Sequence, residues 1–175
     1  MHISSFPNNM SSSESTHRFY IQFILKYGGR TIPFQALRAF KGFTPEQLEQ
    51  PGTRFVICTI RTEAGINTVG LCYICDYGDQ ACFVVVHPLY RGYNIGSRLL
   101  TTALADLERI SCKAPIDDLP SLHMCFNAGL IATQFIEGPT GKDTLVFEKR
   151  MLPNEPDINC ATSVKEGELH CLSPS

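Results

Sequence analysis

Phe83-Val84-Val85-Val86-His87-Pro88-Leu89-Tyr90-Arg91-Gly92-Tyr93-Asn94-Ile95-Gly96-Ser97-Arg98-Leu99-Leu100 is the stretch that decides the fold. An apolar run, Ala81 to Val86, ends in a short loop, and a helical pattern starts at Ile95. Apolar residues at 95, 99, 100, 103, 104, 107 and 110 repeat with a 3.6 period, which predicts one helix from Ile95 to Ile110. Free backbone N–H groups at the start of a helix, aided by its dipole, attract anions. Gly92, Asn94 and Gly96 accept unusual φ values and let a ligand come close to the backbone. Arg91 and Arg98 add positive charge suited to a diphosphate. Physics alone leaves two readings open, a phosphate-binding turn or an ordinary strand–helix loop with two glycines.

Signals on either side of this junction alternate between strand and helix. Arg18 to Leu25, with Phe19, Ile21, Phe23 and Leu25 alternating, predicts a strand. Thr31 to Lys41 predicts a helix, with Pro33 near its start and Gly42 after its end. Thr44-Pro45-Glu46-Gln47 fits a capping box on a second short helix, stopped by Pro51-Gly52. Arg54 to Arg61, Asn67 to Tyr77 and Ala81 to His87 predict a meander of antiparallel strands, with Gly65 and Gly78 in the breaks. Past the long helix, Leu122 to Phe126 reads as a strand, Asn127 to Ile136 as a helix and Thr144 to Met151 as a last strand. The order β-α-α-β-β-β-α-β-α-β predicts an α/β domain over residues 18–151.

Composition narrows the function classes. The chain has 175 residues, 43 % apolar and 18 % charged, enough for one domain with a core. Residues 1–17 and 152–175 read as tails. The second carries Glu155, Asp157, Glu166 and Glu168 against Lys165, and the first carries Glu14. The net charge of −2 therefore becomes +2 over the core between them. Such a balance argues against nucleic-acid binding through charge, which needs clustered Lys and Arg. No apolar run approaches the roughly 18 residues of a membrane span. Met1 to Pro7 has no basic start or apolar run of a secretory leader, so a cytoplasmic chain with reduced thiols is expected. Of eight Cys, Cys58, Cys72, Cys75, Cys82 and Cys125 fall in predicted strands and read as small apolar filling. Cys72-x-x-Cys75 is half of a zinc spacing with no second pair after it, so no metal is expected.

The junction resembles the acetyl-CoA motif of the GNAT superfamily of N-acetyltransferases, Gln/Arg-x-x-Gly-x-Gly/Ala after the fourth strand. Arg91 matches its first position and Gly96 its last. Asn94 stands at the middle Gly, and Asn is the non-Gly residue that best tolerates left-handed geometry. The resemblance implies a mixed, mostly antiparallel twisted sheet flanked by helices, with acetyl-CoA as cofactor. It implies that the strand backbone at Val84, Val85 and Val86 pairs with the pantetheine arm. The loop from Arg91 through Gly92, Tyr93, Asn94, Ile95, Gly96 and Ser97 to Arg98 then holds the pyrophosphate. An amine, on a protein or a small molecule, attacks the thioester directly in a ternary complex.

The family also often places Asn after the fifth strand, Tyr seven residues on, and Gly-Phe at eleven and twelve. Counted from Asn127, the Gly falls on Gly138 and the Tyr place on Gln134, which cannot act as an acid. Asn127 is then a cofactor contact, a helix N-cap, or both. Gln80 stands where some members carry a Glu base. Asp79 and Asp76 are bases acting through water or plain turn residues. Tyr93 and Tyr90 are acids or packing groups, and His87 is a base or a surface side chain. Only residues 139–142 separate the expected last helix from the last strand, so one strand of the family's C-terminal hairpin is expected to be missing. That would leave the acceptor side unusually open, or completed by another subunit. The competing expectation is a catalytically weak CoA-binding protein of the same fold, in a regulatory or assembly role.

Overall fold

A computed structural model describes residues 1–6, 14–29, 32–138 and 141–149. Its elements are β1 (His2–Ser5), α1 (Glu14–Tyr27), α2 (Phe34–Lys41), β2 (Arg54–Thr62), β3 (Gly65–Cys75), β4 (Ala81–Val86), α3 (Ile95–Leu104), β5 (Ser111–Pro115), α4 (Leu119–Asn127), β6 (Leu130–Glu137) and β7 (Asp143–Lys149). They form two antiparallel sheets, β1-β2-β3-β4 and β5-β7-β6. The expected meander is present: Gly70 pairs with Val86 and Tyr73 with Phe83 across β3 and β4. The expected short helix after Thr44 is a 3-10 helix over Pro45–Glu49. The Thr44 N–H donates to Gln47 Oε1 at 3.2 Å, one half of the capping box.

Alternation along β4 separates two cores. Ala81, Phe83 and Val85 point to an aromatic layer under α1 and α2 that holds Phe6, Tyr20, Phe40, Phe55 and Tyr73. Cys82, Val84 and Val86 point to the other side, where Ile95, Leu99, Leu100 and Ala103 of α3 pack. Gly70 lets α3 lie close on the sheet, since a Cβ there would come within 2.9 Å of Leu99 Cδ1.

Five expectations are corrected. Arg18 to Leu25 is helical, not extended. Tyr20, Phe23, Ile24 and Tyr27 make an i, i+3, i+4, i+7 stripe that buries against the sheet, while Phe19 and Leu25 of the supposed alternation stay exposed. The tail over 1–17 contains β1, paired with β2 from His2↔Thr59 to Ser5↔Val56, and the first turn of α1. Helix α3 stops at Leu104 instead of Ile110, and side chains from other elements take carbonyls at and just past its end. Lys149 Nζ donates to the Leu104 and Leu107 oxygens at 3.2 and 2.5 Å, and Arg54 to the Asp106 oxygen at 3.3 Å. Leu122 to Phe126 belongs to α4, and Asn127 to Ile136 leads from its end into β6. The C-terminal hairpin is complete, since β6 and β7 pair from Leu130↔Lys149 to Glu137↔Asp143. The α/β class and the helix-flanked antiparallel arrangement stand, in two sheets whose described pairings are all antiparallel; the shortened C-terminus does not. The tail expected over 152–175 lies outside the described residues.

Candidate functional site

β4 and β5 are not hydrogen-bonded to each other, and each closes its own sheet at this border. β4 pairs only with β3, so its outer edge carries unpaired backbone groups facing β5. The base of the resulting wedge is pinned. A Cβ on Gly78 would lie 2.1 Å from the Ser111 oxygen, so only glycine lets the start of β5 approach the turn before β4. Asp76, Tyr77 and Gly78 all have positive φ, at 51°, 53° and 95°. The Tyr77 ring lies under the Arg109 guanidinium at 4.4 Å, and its N–H donates to the Gly52 oxygen at 2.9 Å. These contacts offset the cost of two non-glycine residues in the left-handed region.

At its open end β4 runs into the loop and α3. The first helical bond into the loop joins the Arg98 N–H to the Asn94 oxygen at 3.2 Å. The amides of Ile95, Gly96 and Ser97 therefore project from the helix start. Asn94 has φ 59° and ψ 20°, the left-handed geometry its motif position requires. Gly92 has φ 85° and open space where a side chain would be. Gly96 serves packing: a Cβ there would press within 3.0 Å of Met124 Sδ on α4.

The two arginines divide their work. Arg91 Nε donates to the Val86 oxygen at 3.2 Å and an Arg91 Nη to the Tyr27 oxygen at 2.9 Å. Its guanidinium ties the loop to the end of α1, so the diphosphate charge expected of it is committed to protein carbonyls. Arg98 is exposed on the first turn of α3. Tyr93 is 71 % exposed. His87 Nδ1 accepts from the Leu89 N–H at 3.3 Å, and its ring packs on Tyr27 at 4.4 Å and Tyr90 at 5.6 Å. It faces a groove of about 460 Å³ between α1 and the loop, lined also by Phe23, Lys26 and Asn67. Asp79 ends the turn at the base of β4, and Gln80 Oε1 accepts from Cys75 Sγ at 3.7 Å.

The pattern expected from Asn127 can also be counted from the end of β5. β5 ends at Pro115, and the first helix N-cap after it is Asp118, on α4. Counting seven from it gives Cys125. Counting eleven and twelve gives Gly129, at φ 82°, and Leu130, the first residue of β6. Asn127, expected to begin a helix, ends α4, and Gln134 lies on β6, beyond β7 from the wedge. Ser111–Pro115 hid β5, because Ser-Cys-Lys-Ala-Pro holds no β-branched or aromatic residue. The signal that finds it is the Asp118-to-Ser121 capping pair, with the Ser121 N–H and hydroxyl donating at 3.3 and 2.6 Å.

Both residues carry chemistry. Asp118 spends its carboxylate on Ser121 and cannot donate as an Asn amide does. The Cys125 thiol is buried against Cys112, with the sulfurs 3.9 Å apart, and this contact and burial push its pKa up. Cys112 is pushed up as well: the Cys125 contact pulls it down, but the Cys82 contact and burial outweigh that pull. Such thiols stay protonated and are weak proton donors.

No protein-family model and no curated protein matches this sequence. Solved structures do. The chain is similar to a structure of the NatC complex bound to Gag peptide and CoA, at 14 % identity and a TM-score of 0.61, covering 87 % of this chain and 100 % of that one. It is similar to a GNAT-family acetyltransferase from Streptococcus pneumoniae, at 14 % identity and a TM-score of 0.56, covering 85 % and 98 %. It is also similar to a variant of spermidine N-acetyltransferase SpeG from Vibrio cholerae, at 9 % identity and a TM-score of 0.56, covering 85 % and 94 %. At such identities the likeness concerns the fold: the chain has the GNAT acetyltransferase fold.

Proposed function

We propose that this protein is an N-acetyltransferase that takes its acetyl group from acetyl-CoA. One observation carries the reading: a wedge with an unpaired β4 edge opens beside a helix start whose loop is left-handed at Gly92 and Asn94. The residues fit the cofactor. The backbone of Val84, Val85 and Val86 offers an extended arm donors and acceptors. The amides from Gly92 to Ser97 offer a pyrophosphate its hydrogen bonds, and Arg98 adds charge. Acetyl-CoA supplies an activated acetyl thioester. The chain's part is to hold that group in the wedge, orient it and admit an amine from the opposite side. Solved neighbours act on spermidine or bind a peptide, so small amines and protein amines are both in scope as acceptors.

The test is calorimetric titration of CoA into the full chain, together with thiol release from acetyl-CoA over a panel of polyamines and peptides. Binding in the micromolar range and release that depends on one acceptor class are expected. Absence of CoA binding overturns the proposal.

A second reading has its own support. Cys125 in the acid's place and Gln80 in the base's place favour a CoA-binding protein with little turnover, in a regulatory or assembly role. Tight CoA binding with no acceptor-dependent thiol release selects it.

A further inference from the structure

Four thiols from four elements meet beside the base of the wedge: Cys72 on β3, Cys82 on β4, Cys112 on β5 and Cys125 on α4. Among the described residues, no group of three or more His, Cys, Asp or Glu side chains is arranged to hold a metal ion. The thiols instead form a line. Cys82 alone of the six described cysteines is not buried. It packs against the buried cluster that holds Cys112. Cys112 and Cys125 are 5 % and 4 % exposed, and their sulfurs are 3.9 Å apart.

We propose that this line is an oxidative modification site in which Cys82 receives the oxidant and a Cys112–Cys125 disulfide is the stable product. The oxidant is a hydroperoxide. The Cys82 sulfur attacks the peroxide O–O bond, giving a sulfenic acid and one molecule of water or alcohol. Cys112 displaces the hydroxyl, forming a Cys82–Cys112 disulfide and releasing water. Cys125 then attacks the Cys112 sulfur while its thiol proton passes to the departing Cys82 sulfur, so that no free Cys125 thiolate is formed and Cys82 leaves as a thiol. Two thiols and one peroxide have become one disulfide and two hydroxylic products. The final bond needs the two sulfurs to close from 3.9 Å to about 2.05 Å, a side-chain movement. It fastens α4 to β5 along one wall of the wedge. Burial, which slows direct attack on Cys112 and Cys125, is the reason the route begins at Cys82.

The experiment treats the full-length protein with hydrogen peroxide, blocks free thiols with an alkylating agent, and maps tryptic peptides by mass, with fragmentation to tell Cys82 from Cys72 and Cys75 on the same 62–91 peptide. Lys113 lies between Cys112 and Cys125, so trypsin places them on separate peptides that only a disulfide joins. The expected result is a 112–125 linked pair, preceded in time by a transient 82–112 pair. In Cys82→Ser, the 112–125 pair should form at least about tenfold more slowly. Cys82 accumulating added oxygen with no linked pair overturns the proposal. So does a 112–125 pair that forms before any 82–112 pair, or as fast in the variant. The readout is mass and does not depend on CoA binding, so it stands or falls apart from the acetyltransferase reading.

Discussion

Asn94 shows how much one residue type can carry. Its φ of 59° is the geometry that the motif's middle glycine supplies. Asn94→Gly should therefore keep CoA affinity within about threefold, whereas Asn94→Val should cost about 1–2 kcal/mol of stability and weaken binding. Paired thermal melts and titrations measure both. Tyr73 makes the opposite point. Its ring is fully buried among Phe40, Phe43 and Phe55, and its hydroxyl has no hydrogen-bond partner among the described residues. Tyr73→Phe should leave stability unchanged or raise it by about 0.5–1 kcal/mol, read from the denaturant midpoint. The loop residues could be read from sequence because backbone geometry demands particular residue types there. Asp118 could not, because only the end of β5 at Pro115 marks it as the first N-cap after that strand.

Elements were legible where one periodicity ruled. The meander from Arg54 to Val86 and the start of α3 came through because alternation and the 3.6 period had no rival there. α1 failed because Phe19 to Leu25 supports both periods, and tertiary burial chooses the helical one. β6 failed because it is an edge strand exposed on both faces, with a register shift between Ala132 and Gln134 that breaks alternation. The element-scale test concerns the joint of the wedge. Gly78→Ala would place a methyl group against the Ser111 oxygen at a φ of 95°. It should destabilise the protein by about 2–4 kcal/mol and lower CoA affinity, measured by denaturant melts and calorimetry. Gly65→Ala, also at positive φ but with open space around it, should show only the smaller backbone cost of about 1 kcal/mol.

At the scale of the molecule, buried acids set the response to pH. Burial first of all pushes up the Cys72 thiol, and Cys112 and Cys125 are also raised. A raised folded-state pKa gives stability that is complete below the unfolded value and lost as pH rises toward the folded one. Above about pH 8.5 unfolded thiols ionise while folded ones cannot, so each should cost about 1.4 kcal/mol per pH unit. Melting temperatures should thus fall from pH 9 to 11 with a slope that Cys72→Ala reduces; an unchanged slope would refute this assignment. The unpaired β4 edge has a different consequence. An exposed strand edge ordinarily invites another chain to add itself and seed aggregation. Here the start of β5 is held against the turn before β4, where Gly78 meets the Ser111 oxygen. On the proposed function a cofactor arm would lie along the β4 edge, and the same occupancy that serves acetyl transfer would deny that edge to a second chain.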